Sequence, residues 1–293
     1  MLQPDAAPAP TFEGRPLPHP DEPVFDQGLT FDVGTLSRRR VLQALGFGAV
    51  SAGMFTIVGC QPGGTGASAA PTSAGPTFAG TDSCALIPEE TAGPYPGDGT
   101  NGPDVLTESG VVREDIRSSI GGASGVAEGV PLTIRLKVVD AGNDCAPLAG
   151  AAVYLWHCDR EGRYSMYSQG VEDENYLRGV QAAGADGIVT FTSIFPACYQ
   201  GRWPHTHFEV YPGIEAAADA GNIIATSQIA LPKATCDAVY ATAGYEDSVQ
   251  TLSGVSLDGD MVFGEDGGAQ QLGTVTGSVA SGLTVDLQVP VQA

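Results

Sequence analysis

The chain has 293 residues, and its 34 acidic against 13 basic side chains give a formal net charge of −21. So negative a chain lacks the basic face that phosphate neutralisation needs, which argues against a nucleic-acid binder. Its 40 glycines and 21 prolines argue against a coiled coil or helical bundle. Since only 16% of the residues are charged and 42% are hydrophobic, the composition indicates a globular, loop-rich protein rather than a disordered acidic tail.

The N-terminal part has the pattern of a bacterial export signal. Residues 1–36 show no period, and a basic stretch with Arg38, Arg39 and Arg40 follows them. The next run, residues 43–59, carries no charge. A basic segment before an apolar one is typical of a signal peptide, and the paired arginines favour the twin-arginine route. The alternative is a retained transmembrane helix, although Gly, Ser and Ala dilute the run.

The sequence Ile57-Val58-Gly59-Cys60 resembles a lipobox, in which Cys60 would be lipidated and attach the protein to a membrane. We therefore expect residues 1–59 to be removed, which takes away six acidic and four basic side chains and leaves a net charge of −19. Residues 60–82 are a Gly/Ser/Ala/Pro tether, and residues 83–293 form one domain. The expected location is the cell surface, as a lipoprotein, or the medium, as a secreted protein.

Five cysteines follow Cys60, and an exported protein can pair some of them. An odd number cannot all pair within one chain, and no CxxC spacing suggests a zinc knuckle. The spacing leaves the connectivity open among Cys84, Cys145, Cys158, Cys198 and Cys236.

The domain has the pattern of an all-β protein with one or two short helices. Residues 131–140 alternate apolar and polar side chains, as a half-buried strand does. Residues 233–243 predict a helix that Gly244 ends. Short strands between long Gly/Pro loops predict an antiparallel β-sandwich. The further predicted strands are residues 151–156, 187–192, 206–211, 223–231 and 281–291.

After removal of the signal, three histidines remain: His157, His205 and His207. If a strand contains His205 and His207, both imidazoles point to one face, at a separation that one metal ion can bridge. Glu209 continues this alternation and is a possible third ligand. The alternative is that these histidines are structural, which is the more usual role for a residue such as His157.

Tyrosines are the other donors in this region. Tyr164 and Tyr199 stand in short Gly- and Pro-containing segments, and a phenolate is a hard anionic ligand that only a strongly Lewis-acidic ion keeps deprotonated at neutral pH. Two phenolates are unusual for zinc, whereas ferric iron suits two phenolates and two imidazoles. The alternative is that these tyrosines are loop and core aromatics.

A series of short blocks between Glu90 and His207 resembles the intradiol ring-cleavage dioxygenases, the family of catechol and protocatechuate dioxygenases. HxH alone would not support this resemblance, but the ordered series does. The blocks are ETAGPY (90–95), REDI (113–116), LWHCD (155–159), GRYS (162–165), YLRG (176–179), DG through FTSI (186–194), PACY (196–199) and GRWPHTH (201–207).

The resemblance implies a non-haem Fe(III) held by Tyr164, Tyr199, His205 and His207. It further implies that Tyr199 is the phenolate that is released and takes up a substrate proton, and that Arg202 stabilises negative charge on the ring. Gln228 matches the family's glutamine, although the interval from His207 is longer than in the best-known members. The implied reaction converts a catechol-type diol and O2 to a cis,cis-muconate-type diacid.

Two other classes of function stay open from the residues. One is a non-catalytic β-sandwich lipoprotein that binds aromatics or carbohydrate, and the other is a zinc hydrolase built on the HxH pair. The sequence does not distinguish catechol, protocatechuate and hydroxyquinol as substrates, nor does it predict an oligomeric state. The negative charge disfavours anionic substrates at long range, and a local cation could reverse this: Arg163, Arg178 or Arg202.

Overall fold

A computed structural model of the protein describes residues 84–293, Phe78 and two short N-terminal strands. These strands, β1 (Thr11–Phe12) and β2 (Arg15–Pro16), pair antiparallel. They belong to one compact unit, Met1–Gly75, and the remaining elements belong to a second, Pro76–Ala293.

The arginine stretch, the apolar run, Cys60 and the tether other than Phe78 lie outside the described residues. The export signal, the lipid anchor and the proposed domain limits therefore stay predictions. Over the part of the chain that the structure describes, no helix combines the length and the apolar character that a membrane span requires.

The second unit contains two β-sheets and two short helices, α1 (Lys233–Tyr240) and α2 (Glu246–Ser253). Its strands are β3 (Pro131–Asp140), β4 (Ala146–Pro147), β5 (Ala152–Trp156), β6 (Arg178–Ala182), β7 (Ile188–Ile194), β8 (His205–Tyr211), β9 (Ala225–Ala230), β10 (Thr274–Ser278) and β11 (Gly282–Val291). One sheet has the order β10-β11-β3-β4, with β7 also paired to β3, and the other has the order β6-β5-β8-β9. Among the described strand pairs all are antiparallel except β3 and β11, which run parallel.

The predicted sandwich is confirmed, and its core lies between the two sheets. Alternate residues of β3, such as Ile134 and Leu136, are fully buried there, as the period of two predicts. Every residue of β5, β8 and β9 is buried, because the outer face of the second sheet is covered as well. A second hydrophobic cluster lies on that outer face and includes Tyr154, Trp156 and Tyr164.

The elements that the sequence analysis missed include α2, β6 and β10. Helix α2 has the sequence EDSVQTLS, in which only Ser248 and Leu252 are buried and Val249 is exposed, so no apolar period marks it. Strand β10 is largely exposed, and β6 begins with the charged residue Arg178, which is fully buried. The secondary structure of these segments is determined by tertiary contacts rather than by the local sequence pattern.

The structure also settles the cysteine pairing for the described residues. Cys84 and Cys145 form a disulfide that joins the start of the domain to the β3–β4 turn, with 5.7 Å between the two Cα atoms. Cys158, Cys198 and Cys236 are buried free thiols. The five cysteines after Cys60 therefore consist of one disulfide-bonded pair and three buried free thiols.

Leu136 tests the contribution of the inter-sheet core. It is fully buried at the centre of β3, between β11 and β7. We expect Leu136→Ala to lower the free energy of unfolding by roughly 2–5 kcal/mol, because the lost methyl groups leave a cavity between the sheets. Urea unfolding measures this difference. The control Lys137→Ala, one residue along the same strand, should cost about 1 kcal/mol or less, and an equal loss for both variants would contradict the packing argument.

Candidate metal centre

Four predicted donor atoms meet on the outer face of the second sheet. The Nε2 atoms of His205 and His207, both on β8, are 3.0 Å apart. The hydroxyl oxygen of Tyr199 lies 3.2 Å from His205 Nε2, and that of Tyr164 lies 3.3 Å from His207 Nε2. The two hydroxyl oxygens are 3.3 Å apart. We call this closed set of two oxygens and two nitrogens the donor ring.

Strand β8 orients both imidazoles in the donor ring. The Nδ1–H of His205 donates to the carbonyl of Trp203 at 2.5 Å, which leaves the Nε2 lone pair facing the ring. His207 is held mainly by packing: its imidazole stacks on Trp156 with 4.9 Å between the ring centroids. Its Nδ1 is buried and has no hydrogen-bond partner among the described residues. The backbone of Gly93 closes the other side, since a Cβ there would stand 3.4 Å from Cε1 of His207.

The loop that leads to Tyr164 is built around Asp159. Its carboxylate accepts hydrogen bonds from the backbone N–H groups of Glu161 and Arg163, and its carbonyl accepts from Ala197 N–H at 3.1 Å. One residue thus ties the loop before Tyr164 to the segment before Tyr199. The positions of Tyr164 and Tyr199 therefore both depend on the hydrogen bonds of Asp159.

Arg178 stabilises the segment that contains Tyr164. It is 1% exposed, and its guanidinium donates to uncharged acceptors: the carbonyl and hydroxyl of Ser165, the carbonyls of Tyr95 and Pro96, and the hydroxyl of Tyr154. The residue next to Tyr164 is therefore joined to the Tyr95 turn. The rings of Tyr95 and Tyr164 pack with 4.9 Å between their centroids.

Arg202 and Gln228 both border the donor ring. Arg202 Nη1 lies 3.4 Å from His205 Nε2, and Nη2 donates to Gln228 Oε1 at 2.7 Å. Gln228 reaches the site because β9 pairs with β8 so that Gln228 is opposite His207. The long interval between the two strands forms 3₁₀ turns at Ile214–Ala218 and Ala220–Asn222 and does not displace it.

Two further residues considered from the sequence lie outside the donor ring. The carboxylate of Glu209 accepts a hydrogen bond from the Tyr211 hydroxyl at 2.7 Å, and burial raises its pKa to about 8. His157 is buried, with its Nε2 2.7 Å from the Ser193 hydroxyl and its Nδ1 2.8 Å from the Cys158 carbonyl oxygen. Both side chains are held by protein atoms away from the four donors.

Asp260 is a site residue that the sequence analysis missed. Its carboxylate pairs with Arg202, with 3.0 Å between Oδ2 and Nε, and it comes from the loop after the 3₁₀ turn Leu257–Gly259. It stands 58 positions after Arg202 and belongs to none of the recognised blocks. No signal in the sequence connects the two residues.

The donor set suits a strongly Lewis-acidic ion. Burial raises the pKa of Tyr199 to about 12 and that of Tyr164 well above the ordinary value, and burial lowers the pKa of both ring histidines well below theirs. Without a metal the donors are therefore neutral phenols and imidazoles, and two phenolates require a cation that competes strongly with protons. The described residues contain no group of three or more His, Cys, Asp or Glu that could hold a metal, so these tyrosines are essential to such a site. This donor chemistry fits Fe(III).

Comparisons with known proteins match this part of the chain. A family model described as Dioxygenase matches residues 101–212, which include the whole donor ring and Arg202. Among curated proteins, catechol 1,2-dioxygenase 1 of Acinetobacter lwoffii is 39% identical over 70 residues, and chlorocatechol 1,2-dioxygenase of Rhodococcus opacus is 37% identical over 54 residues. These matches cover 24% and 18% of this chain and only about a fifth of each relative, 22% and 21% respectively.

A solved structure extends the likeness to the whole domain. The intradiol ring-cleavage dioxygenase from Tetranychus urticae is 26% identical, with a TM-score of 0.55, and the match covers 71% of this chain and 95% of that protein. The chain is thus similar to the intradiol ring-cleavage dioxygenases in residues 101–212 and in the fold of its described domain.

Proposed function

We propose that the protein is a non-haem Fe(III)-dependent dioxygenase that cleaves a catechol-type aromatic diol between its two hydroxyl-bearing carbons. Both atoms of O2 enter the product, a cis,cis-muconate-type diacid, so the reaction needs no external reductant. The observation that carries the proposal is the donor ring, in which two phenol oxygens and two imidazole nitrogens lie 3.0–3.3 Å from their neighbours.

Tyr164, Tyr199, His205 and His207 would hold the iron. When bound, Fe(III) supplies the positive charge that keeps phenolate and catecholate oxygens deprotonated, and it accepts electron density from the catecholate. The protein contributes a site from which water is largely excluded. There, the fixed positions of Tyr164, His205 and His207 cost no reorganisation during the reaction.

The two tyrosines differ in their freedom to move. Tyr164 is 2% exposed and packs against Tyr95, whereas Tyr199 is half-buried and lines a cavity of about 270 Å³ between the Arg160–Glu161 turn and helix α2. This supports Tyr199 as the phenolate that leaves the donor ring and takes a proton from the diol. A phenolate that no longer binds a cation regains the basicity of an ordinary tyrosinate and is a competent base for that proton.

Arg202 supplies positive charge beside the substrate. Its Nη1 lies next to His205 Nε2, so a diol bound at the donor ring would meet the guanidinium as negative charge develops on the aromatic ring. Arginine stays protonated at any working pH, and a fixed cation in a site of low dielectric stabilises such charge. Gln228 holds the guanidinium from the Nη2 side.

The first test is the colour of the iron-loaded protein. We expect a visible tyrosinate-to-Fe(III) charge-transfer band that Tyr164→Phe weakens or abolishes, because a donor phenolate is lost. Tyr167→Phe is the matched control: its hydroxyl bonds to Asn101, outside the donor ring, so the band should persist. A colourless protein after Fe(III) loading would refute the iron assignment, and stoichiometric zinc in its place would favour a zinc hydrolase.

The second test is the product formed from catechol and O2. We expect one O2 consumed per catechol and a diacid that absorbs in the near ultraviolet. Mass spectrometry with 18O2 should find both labelled atoms in the product. A yellow semialdehyde would indicate cleavage outside the diol, and an iron-loaded protein that binds catechol without oxygen uptake would favour a non-catalytic binding module.

Export by the twin-arginine route, with a lipid on Cys60, is part of the same proposal and rests on the sequence alone. We expect replacement of Arg38 and Arg39 by Lys to keep the protein in the cytoplasm, and Cys60→Ala to release it from membranes after export. Cell fractionation measures both outcomes. Arg15→Lys, outside the basic stretch, is the control, and normal export of the double Lys variant would contradict the assigned route.

A further inference from the structure

The pair formed by Arg202 and Asp260 is more tightly built than other ion pairs near the site. The Asp260 side chain has no exposed surface and that of Arg202 is 11% exposed. Besides Arg202, the carboxylate accepts backbone hydrogen bonds from Trp203 at 2.6 Å, Val262 at 2.9 Å and Phe263 at 3.2 Å. The position of the carboxylate is thus fixed independently of the arginine.

This fixed carboxylate determines how Arg202 faces the donor ring. Nε donates to Asp260 Oδ2 at 3.0 Å, and Nη2 is shared between Gln228 Oε1 at 2.7 Å and Asp260 Oδ1 at 3.4 Å. Because the guanidinium is planar, the hydrogen bonds of Nε and Nη2 fix its orientation. Nη1 then faces the donor ring, where it lies 3.4 Å from His205 Nε2.

At long range, the negative charge of Asp260 cancels the positive charge of Arg202. The other cations near the site are also engaged. Arg178 is buried among uncharged acceptors, Arg163 pairs with Asp159 and Glu161, and Arg160, which lines the cavity beside Tyr199, pairs with Glu128. Among the described residues of the site, no guanidinium is left to pair with a carboxylate on the aromatic ring. Desolvating such a carboxylate without a partner is costly.

We propose that Asp260 is a positioning and specificity-determining residue: it fixes the Nη1 edge of Arg202 toward the donor ring and makes the site select catechols without an ionised ring substituent. This inference rests on the proposed dioxygenase function. Asp260 lies outside residues 101–212, the segment that matches the family model. This positioning residue therefore comes from a loop that the match does not include.

The test compares wild type and Asp260→Asn, both iron-loaded, with catechol and with protocatechuate, which carries a carboxylate. The variant keeps the shape of the side chain and removes its charge. We expect kcat for catechol to fall by about tenfold or more, because Arg202 loses its fixed orientation. The ratio of kcat/KM for protocatechuate over catechol should rise by about fivefold, because Arg202 loses the negative charge with which it is paired. The visible band should not change, because the four donors are intact.

Asp286→Asn is the matched control. Asp286 is also buried and pairs with Arg135, 2.6 Å between Oδ1 and Nε, but on β11 and β3 of the other sheet, and the Arg135 side chain is 28% exposed. It should lose stability and keep both kcat and the substrate ratio of wild type. Equal effects of the two substitutions, or wild-type kinetics in Asp260→Asn, would overturn the inference.

Asp260→Glu covers the case in which Asp260→Asn does not fold. It keeps the negative charge and moves the carboxylate by one methylene, so kcat should fall while the preference for catechol is retained. Unchanged kcat, or loss of the preference, would overturn the inference. A wild-type enzyme that cleaves catechol and protocatechuate equally well refutes this inference alone. One that binds iron and cleaves none of catechol, protocatechuate and hydroxyquinol refutes the proposed function.

Discussion

The sheet β6-β5-β8-β9 is covered on both faces, and the candidate site depends on this double burial. One face packs against the other sheet, and the opposite face, which carries His205 and His207, lies under the loops that hold Tyr95, Tyr164 and Tyr199. Removal from water makes the metal-free phenols and imidazoles neutral and leaves their lone pairs without solvent. A cation that binds these four atoms interacts with them more strongly than it would at the surface, because the effective dielectric constant around them is lower.

Buried charge around the site is handled in two different ways. Arg178 satisfies its guanidinium with carbonyl and hydroxyl groups, and in doing so joins the loop of Tyr95 to the residue after Tyr164. Arg202 instead pairs with a carboxylate that three backbone N–H groups hold in place. The first arrangement holds the segment of Tyr164 in place, and the second fixes a cation beside the donor ring. Both follow from the cost of leaving a buried guanidinium without acceptors.

Sequence pattern was informative wherever the local environment alternates or a motif is contiguous. Strand β3 is half-buried, so its period of two predicted it, and the HxH spacing placed two imidazoles on one face of β8. The local pattern did not predict α2, in which only two residues are buried, or β6, whose first residue is a buried arginine. The parallel pairing of β11 with β3 was also not predicted, since register and direction between distant strands leave no local trace.

The sequence by itself predicted the sandwich, because short-range periodicity marks its strands. The resemblance of its short blocks to the dioxygenase family singled out the four side chains of the donor ring, together with Arg202 and Gln228. Only the tertiary structure decided that Glu209 turns to Tyr211 instead of the donor ring, that Cys84 pairs with Cys145, and that Asp260 meets Arg202. Those contacts join residues whose positions follow from how the sheets and loops pack. The physical reason is that burial, which makes each of them matter, is a property of the assembled domain and not of any segment.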